Sequence, residues 1–267
     1  MAYVRAWLTG LAVPLGIGLG ATLLVACGGP PADPSPTQGT TANPTDRDAL
    51  AGLAAAAKDR RYIATYTLSV AKTADRTVTV AFGADNTWLV AIPGGALGGL
   101  ADVAIYSRAG GLFQCALGPA SGTAGARPDL PPVTPGCVAV NPLAPAFDPR
   151  VQHIFSDWID PLIDRATALS VAAASPLPGA RGACYSVESN SAALAPPVDP
   201  GIYCYAADGT LTAARVGFGT LTLAGSVAPA PPSVTMPGPV VNRPPLALTA
   251  PPVPTVGATS PGSRPAG

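Results

Sequence analysis

The sequence predicts an α+β domain in which an antiparallel sheet packs on a pair of amphipathic helices. Three observations lead to that class. Period-two hydrophobic segments recur from residue 62 to residue 223 with short turns between them, the pattern of consecutive antiparallel strands rather than of a doubly wound sheet. Helical spacing occurs at two places only, after Asp46 and after Asp148. Proline-dominated stretches bound the patterned region on both sides and are too poor in apolar surface to offset the entropy of ordering, so one domain is expected over residues 46–241.

At the N-terminal end, Arg5 precedes an apolar run over residues 6–25 broken only by Thr9 and Thr22. A basic start, an apolar middle and small residues before a polar border make a secretory leader, expected over residues 1–26. The run is long enough to span a membrane as an uncleaved helix, the alternative, but Pro14 and several glycines weaken that helix. Leu24-Val25-Ala26-Cys27 resembles the lipobox of bacterial lipoproteins. The resemblance implies a diacylglyceride on Cys27, cleavage before it, and anchoring at the outer face of the cytoplasmic membrane. Two acyl chains anchor stably because each buried CH₂ contributes ~0.8 kcal/mol. Residues 27–45, with Pro30, Pro31, Pro34, Pro36 and Pro44, then read as a disordered tether.

The first helix is expected from Asp46, with Leu50, Leu53, Ala54 and Ala57 on one stripe and Lys58, Arg60 and Arg61 at its C-terminal end. The period then switches to two. Tyr62, Ala64, Tyr66, Leu68 and Val70 share one face of a half-buried strand. Residues 78–82, 88–92, 103–106 and 112–116 continue as strands. Residues 93–99 read as a loop, and Arg108-Ala109-Gly110-Gly111 as a hairpin turn. Residues 118–136 are a Pro- and Gly-rich insertion. Asp148 is placed to N-cap a second helix, with Pro149 at its first position and Val151, Ile154, Phe155, Trp158 and Ile159 as a broad apolar stripe. Asp160-Pro161 repeats the signal for a short third helix carrying Leu162, Ile163 and Ala166. Strands return over 169–173, 183–188, 202–206, 211–216 and 218–223, with Asp208-Gly209 as a hairpin turn. Proline dominates from residue 228. Residues 234–241 are expected along the domain and residues 242–267 as a disordered tail.

Composition excludes some partners. Fifteen basic and fifteen acidic side chains balance, and charged residues are 11% of the chain, so no basic patch is available for nucleic acid. Five cysteines become four once Cys27 is set aside, and an even number in an exported chain reads as disulfides. Four cysteines allow three pairings. Proximity in sequence favours Cys115 with Cys137 and Cys184 with Cys204. No CxxC occurs and the single histidine lies elsewhere, so neither a metal nor another cofactor is expected.

The search for catalytic patterns finds no GxSxG, HExxH or Walker A loop. His153 has Asp157 one turn later and reads as a solvent-facing pair. Asp157, Asp160 and Asp164 fall near one another in sequence, with Asp160 as a cap and the others on a polar face. Tyr62, Tyr66, Phe82 and Trp88 lie on neighbouring predicted strands, as core or as the wall of a pocket.

The lipobox, the stretch Arg60-Arg61-Tyr62-Ile63-Ala64-Thr65-Tyr66 that leaves the first helix, and the element order together resemble the LolA-like lipid-carrier lipoproteins of mycobacteria. That resemblance implies a curved half-barrel sheet wrapped on the helix pair, enclosing an apolar cavity. The ligand-binding residues would be Val151, Phe155, Trp158, Tyr62 and Tyr66. The expectation is therefore a non-enzymatic, lipid-anchored envelope protein that binds a lipid or other apolar ligand. The alternative is an envelope accessory module that contacts a protein partner or a cell-wall polymer.

Overall fold

The computed structural model describes residues 44–120, 132–190, 196–250 and 252. The leader, Cys27, most of the tether, most of the insertion at 118–136 and the last residues of the tail lie outside them. Among the described residues, no helix is long and apolar enough to cross a membrane.

Helix α1 spans Pro44–Asp59. Leu50, Ala51 and Ala54 form its buried stripe, with Leu53 and Ala57 packed beside them. The sheet is antiparallel throughout and curved. Its first meander is β1 (Tyr62–Ser69), β2 (Arg76–Phe82), β3 (Trp88–Ala96), β4 (Ala101–Arg108), β5 (Gly111–Pro119) and β6 (Gly136–Ala139). Its second is β7 (Leu169–Ala173), β8 (Ala183–Ser189), β9 (Gly201–Tyr205), β10 (Leu211–Val216) and β11 (Gly219–Leu223). The two join where β11 pairs with the C-terminal half of β1, and the short β12 (Ala228–Pro229) pairs with Tyr62 and Ile63 at the other end of β1. β1 is therefore central, while β6 and β7 stand at the ends of the order.

The alternation on β1 is realised residue for residue: Tyr62, Ala64, Tyr66 and Leu68 are buried and the positions between them are half-buried. The helix-covered face carries the main core, which includes Leu50, Tyr66, Val80, Ile92, Ile154, Leu162, Tyr203 and Leu221. Fully burying a side chain of this size contributes roughly 1.5–3 kcal/mol, so this layer dominates the fold. At the Asp208-Gly209 turn, Gly209 has φ +82°, and a Cβ there would lie 2.3 Å from the Ala57 nitrogen. Glycine is required because the turn abuts the end of α1.

The helical region after β6 differs from the expectation. Residues Val151–Phe155 form a 3₁₀ helix, a turn covers 156–158, and α2 is the five-residue segment Ile159–Ile163. Asp148 does not cap a helix. It is extended, and Arg150 enters the left-handed region at φ 66°, which no helical first turn accommodates. The Asp148 carboxylate is instead engaged by the Arg150 N–H, Gln152 and His153. The stripe itself holds: Val151, Ile154, Phe155, Trp158 and Ile159 are all buried. Arg47 of α1 donates to the carbonyls of Pro161, Leu162 and Asp164, satisfying the C-terminal end of α2. Residues 93–96, expected as loop, complete β3 after a register shift between Ile92 and Ala96, and the Arg76 guanidinium donates to the Pro93 and Gly94 carbonyls there.

The opposite face of the sheet carries two smaller clusters, each built around a disulfide. Cys115–Cys137 joins β5 to β6 and Cys184–Cys204 joins β8 to β9 at directly paired positions. These are the pairings favoured by sequence proximity. A loop of either length corresponds to about 3 kcal/mol of constraint on the unfolded chain. Leu177 covers the second bridge. The first lies under the C-terminal strap, through Val234 and Met236.

That strap continues beyond the expected limit near Asn242. The Cys137 N–H donates to Pro239 and the Val241 N–H donates to Cys137, which pairs the outer edge of β6. Arg243 then donates to the Gly136 carbonyl, Leu246 exchanges hydrogen bonds with the Gln114 side chain, and the Leu97 and Gly98 N–H groups donate to Ala247 and Leu248. Its prolines do not prevent docking, because an extended chain that uses its carbonyls as acceptors loses little by lacking N–H groups.

Candidate functional site

The five residues expected to line an apolar cavity are brought together, but in the main core. Val151, Phe155, Trp158, Tyr62 and Tyr66 are all buried there. Tyr66 and Phe155 pack in a tilted pair with ring centroids 5.0 Å apart, and Tyr62 packs on Phe82 at 5.6 Å. The Tyr66 hydroxyl donates to the Leu211 carbonyl. Burial pushes the Tyr62, Tyr66, Tyr203 and Tyr205 phenols above their usual range, so they stay neutral. The space that Tyr62 and Phe155 border with Ile154, Tyr205 and Leu211 is about 10 Å³. That is the size of one water, and the Tyr205 hydroxyl bordering it is buried without a protein partner.

The chemistry concentrates at the outer end of the 3₁₀ segment. His153 Nε2 lies 2.6 Å from Asp148 Oδ2 and its Nδ1 lies 2.6 Å from Asp157 Oδ1. The ring stacks on Trp158 at 5.4 Å. Burial alone would lower the His153 pKa, but hydrogen bonds and charge from Asp148 and Asp157 outweigh it and raise the imidazolium to about 9. Both carboxyls gain from the same arrangement. Burial would raise them, yet their bonds to His153 hold each below its usual range. The expected Asp157 pair is present, and Asp148 is the partner the sequence reading assigned elsewhere. Ser156 Oγ donates to Asp157 and to the Gln152 carbonyl. With both ring nitrogens held by carboxylates, His153 has no lone pair for a serine hydroxyl, which general-base activation requires. Asp160 pairs with Lys58 at 2.6 Å, and Asp164 accepts from Ala166 and Thr167. Among the described residues, no group of His, Cys, Asp and Glu is arranged to hold a metal ion.

Beside this cluster the helical layer leaves part of the sheet uncovered. Trp88, the first residue of β3, shares a face with Val90 and Ile92 but is only half-buried. On one side of it a cleft of about 240 Å³ is bounded by Lys58, Arg61, Asn86, Phe155 and Ser156. On the other, a mostly apolar cleft of about 380 Å³ is bounded by Leu112, Asn141, Leu143, Gln152, His153 and Asp157. Trp88 and Ser156 border both, so the two clefts adjoin in a groove across Trp88. Gln152 is 2% exposed; its Nε2 donates to Asp148, while its Oε1 is buried with no partner among the described residues. Among the described residues, neither the Trp88 indole N–H nor the Asn141 side-chain amide has a hydrogen-bond partner.

Sequence reasoning placed Trp88 on the correct face but did not select Asn141 or Gln152 for this groove, nor Asp148 for the histidine beside it. Gln152 alone carried a signal, as a polar residue wedged between two positions of an apolar stripe. Comparison with known protein families gives no match, and comparison with curated proteins gives none either.

Proposed function

We propose that this chain is an exported, lipid-anchored envelope protein whose domain is a non-catalytic recognition module rather than a lipid carrier. The observation that carries the choice is the filled layer between helices and sheet. Tyr66 packs on Phe155 and Tyr62 on Phe82 in the main core, and the space that Tyr62 and Phe155 border there has room for a single water, while the larger clefts beside Phe155 and Val151 open toward the surface. The lipobox at residues 24–27 supports the anchor, and the Pro-rich tether would hold the domain away from the bilayer. The occupied nitrogens of His153 support the absence of hydrolytic chemistry. On this reading the groove across Trp88 is the contact surface for an envelope component.

Carriage of an apolar ligand in a LolA-like half-barrel is the second reading. The cleft walled by Leu112, Pro142 and Leu143 favours it, because that surface is mostly apolar. Native mass spectrometry of the chain, exported from an actinobacterial host and released in mild detergent, separates the two. A mass of polypeptide plus its covalent acyl groups is expected. A further mass that organic extraction releases as lipid would overturn the recognition reading in favour of carriage.

A further inference from the structure

We propose that the groove across Trp88 binds a saccharide, an unbranched run of neutral pyranose units. This deepens the recognition reading and rests on it.

The floor of the groove comes first. Trp88 opens β3, and β3 is paired on both sides, with Trp88 opposite Phe82 on β2 and Ser107 on β4. The groove is therefore laid over a sheet face and offers no free backbone edge. A peptide that binds by adding a strand has nothing to pair with here. An occupant here is held by side chains rather than by strand pairing.

The side chains match that occupant. The half-buried indole presents a flat apolar wall, and a pyranose has a face of C–H groups that packs on such a ring through area burial and weak C–H contacts. Around it stand Asn86, Asn141, Ser156 and Asp157 at the open rim. A hydroxyl donates one hydrogen bond and accepts others, so it suits a mixed set of amide, hydroxyl and carboxylate. Gln152 Oε1 is a buried acceptor that the protein leaves unfilled, and a hydroxyl supplies the missing donor.

Charge decides against an anionic ligand. The cations at the groove are Lys58, Arg61 and His153. Asp160 neutralises the first, and Asp148 and Asp157 clamp the third. Arg61 is engaged by the Asn86 side-chain oxygen and by the Lys58 and Arg60 carbonyls, so among the described residues the groove holds one cation without a carboxylate opposite it rather than a basic cluster for a phosphate or sulfate. Two clefts that adjoin at one aromatic offer room on either side of it for more than one ring.

The test uses the full exported chain in mild detergent with maltotetraose, cellotetraose and chitotetraose as probes, read by tryptophan fluorescence and titration calorimetry. At least one tetrasaccharide should bind and alter the emission. Trp88→Ala should weaken it at least tenfold and abolish the spectral change, and Trp88→Phe should restore most of the affinity. Asn141→Ala, on an exposed loop, should weaken binding several-fold. No binding of any of the three at millimolar concentration would overturn the proposal. So would binding that survives both Trp88→Ala and Asn141→Ala, or a proline-rich peptide that occupies the groove in place of the sugars. If the sugars fail while a cross-linker placed at Asn141 still captures an envelope protein, the recognition reading stands and only its saccharide form falls.

Discussion

At the residue scale the most constrained group is the imidazolium of His153, held between Asp148 and Asp157. Its folded pKa of about 9 lies above the value of about 6.5 in an unfolded chain. A group raised in this way stabilises the fold fully below pH 6.5, and that contribution is lost as pH rises through 9. The two carboxyls are lowered by the same contacts, so their contribution is present above the usual Asp range and lost as pH falls. The cluster is therefore most stabilising in mildly acidic solution. Asp157 is 66% exposed, which screens one of the two bridges, so the loss between pH 6.5 and 9.5 should be roughly 2 kcal/mol. Urea unfolding across that range should show the decline in the wild type and a flat profile in His153→Gln. Because the chain has a single histidine, its imidazole NMR signals can be followed without assignment, and titration near 6.5 would refute the clamp. Trp158 and Gln152 flank the same ring, so the clamp also fixes one wall of the groove.

At the scale of elements, what the sequence made legible and what it hid divide by the range of the interaction. The strands were legible because alternation is local: Tyr62, Ala64, Tyr66 and Leu68 reveal their buried face within one segment. The disulfides were legible because each closes between strands that are neighbours in sequence or nearly so. The 3₁₀ segment was not. Its apolar spacing is that of an α-helix, but Asp148, His153 and Asp157 form a three-membered bridge that no pairwise rule reveals. The groove escaped for the same reason, since Trp88, Asn141 and Gln152 come from a strand, a loop and a helix. The strap shows the largest discrepancy, because proline content argued for disorder while its docking depends on contacts distant in sequence, among them those of one buried side chain. Gln114, 2% exposed on β5, donates to Leu246 and Phe147 and accepts from the Leu246 N–H. Gln114→Leu removes all of these bonds without opening a cavity. It should cost about 2 kcal/mol locally, since buried strap groups lose their partners. Hydrogen exchange should show protection falling together at Leu97, Gly98, Leu246 and Leu248 with little change in the central strands. Unaltered protection at those amides would mean that apolar contacts, not Gln114, hold the strap.

At the scale of the whole molecule, membrane attachment and recognition are assigned to separate parts of the chain, and each can fail alone. On the proposed reading the domain needs no lipid to fill its interior, because packed side chains, the tilted Tyr66–Phe155 pair among them, occupy the main core. An acyl group would then act only as an anchor, and its removal should leave folding and the groove untouched. Cys27→Ser tests that separation. In the wild type, metabolic labelling with palmitate should mark the protein, and the mature N-terminus should begin at Cys27. In Cys27→Ser the label should vanish, while the two disulfides and the unfolding temperature stay unchanged. A wild-type chain that is unlabelled and begins at Met1 would instead make residues 6–25 an uncleaved membrane span. That outcome would replace a lipid anchor with a peptide one, yet still present the same domain on a proline-rich tether. The groove prediction would survive it, because nothing in the geometry around Trp88 depends on how the chain is held to the membrane.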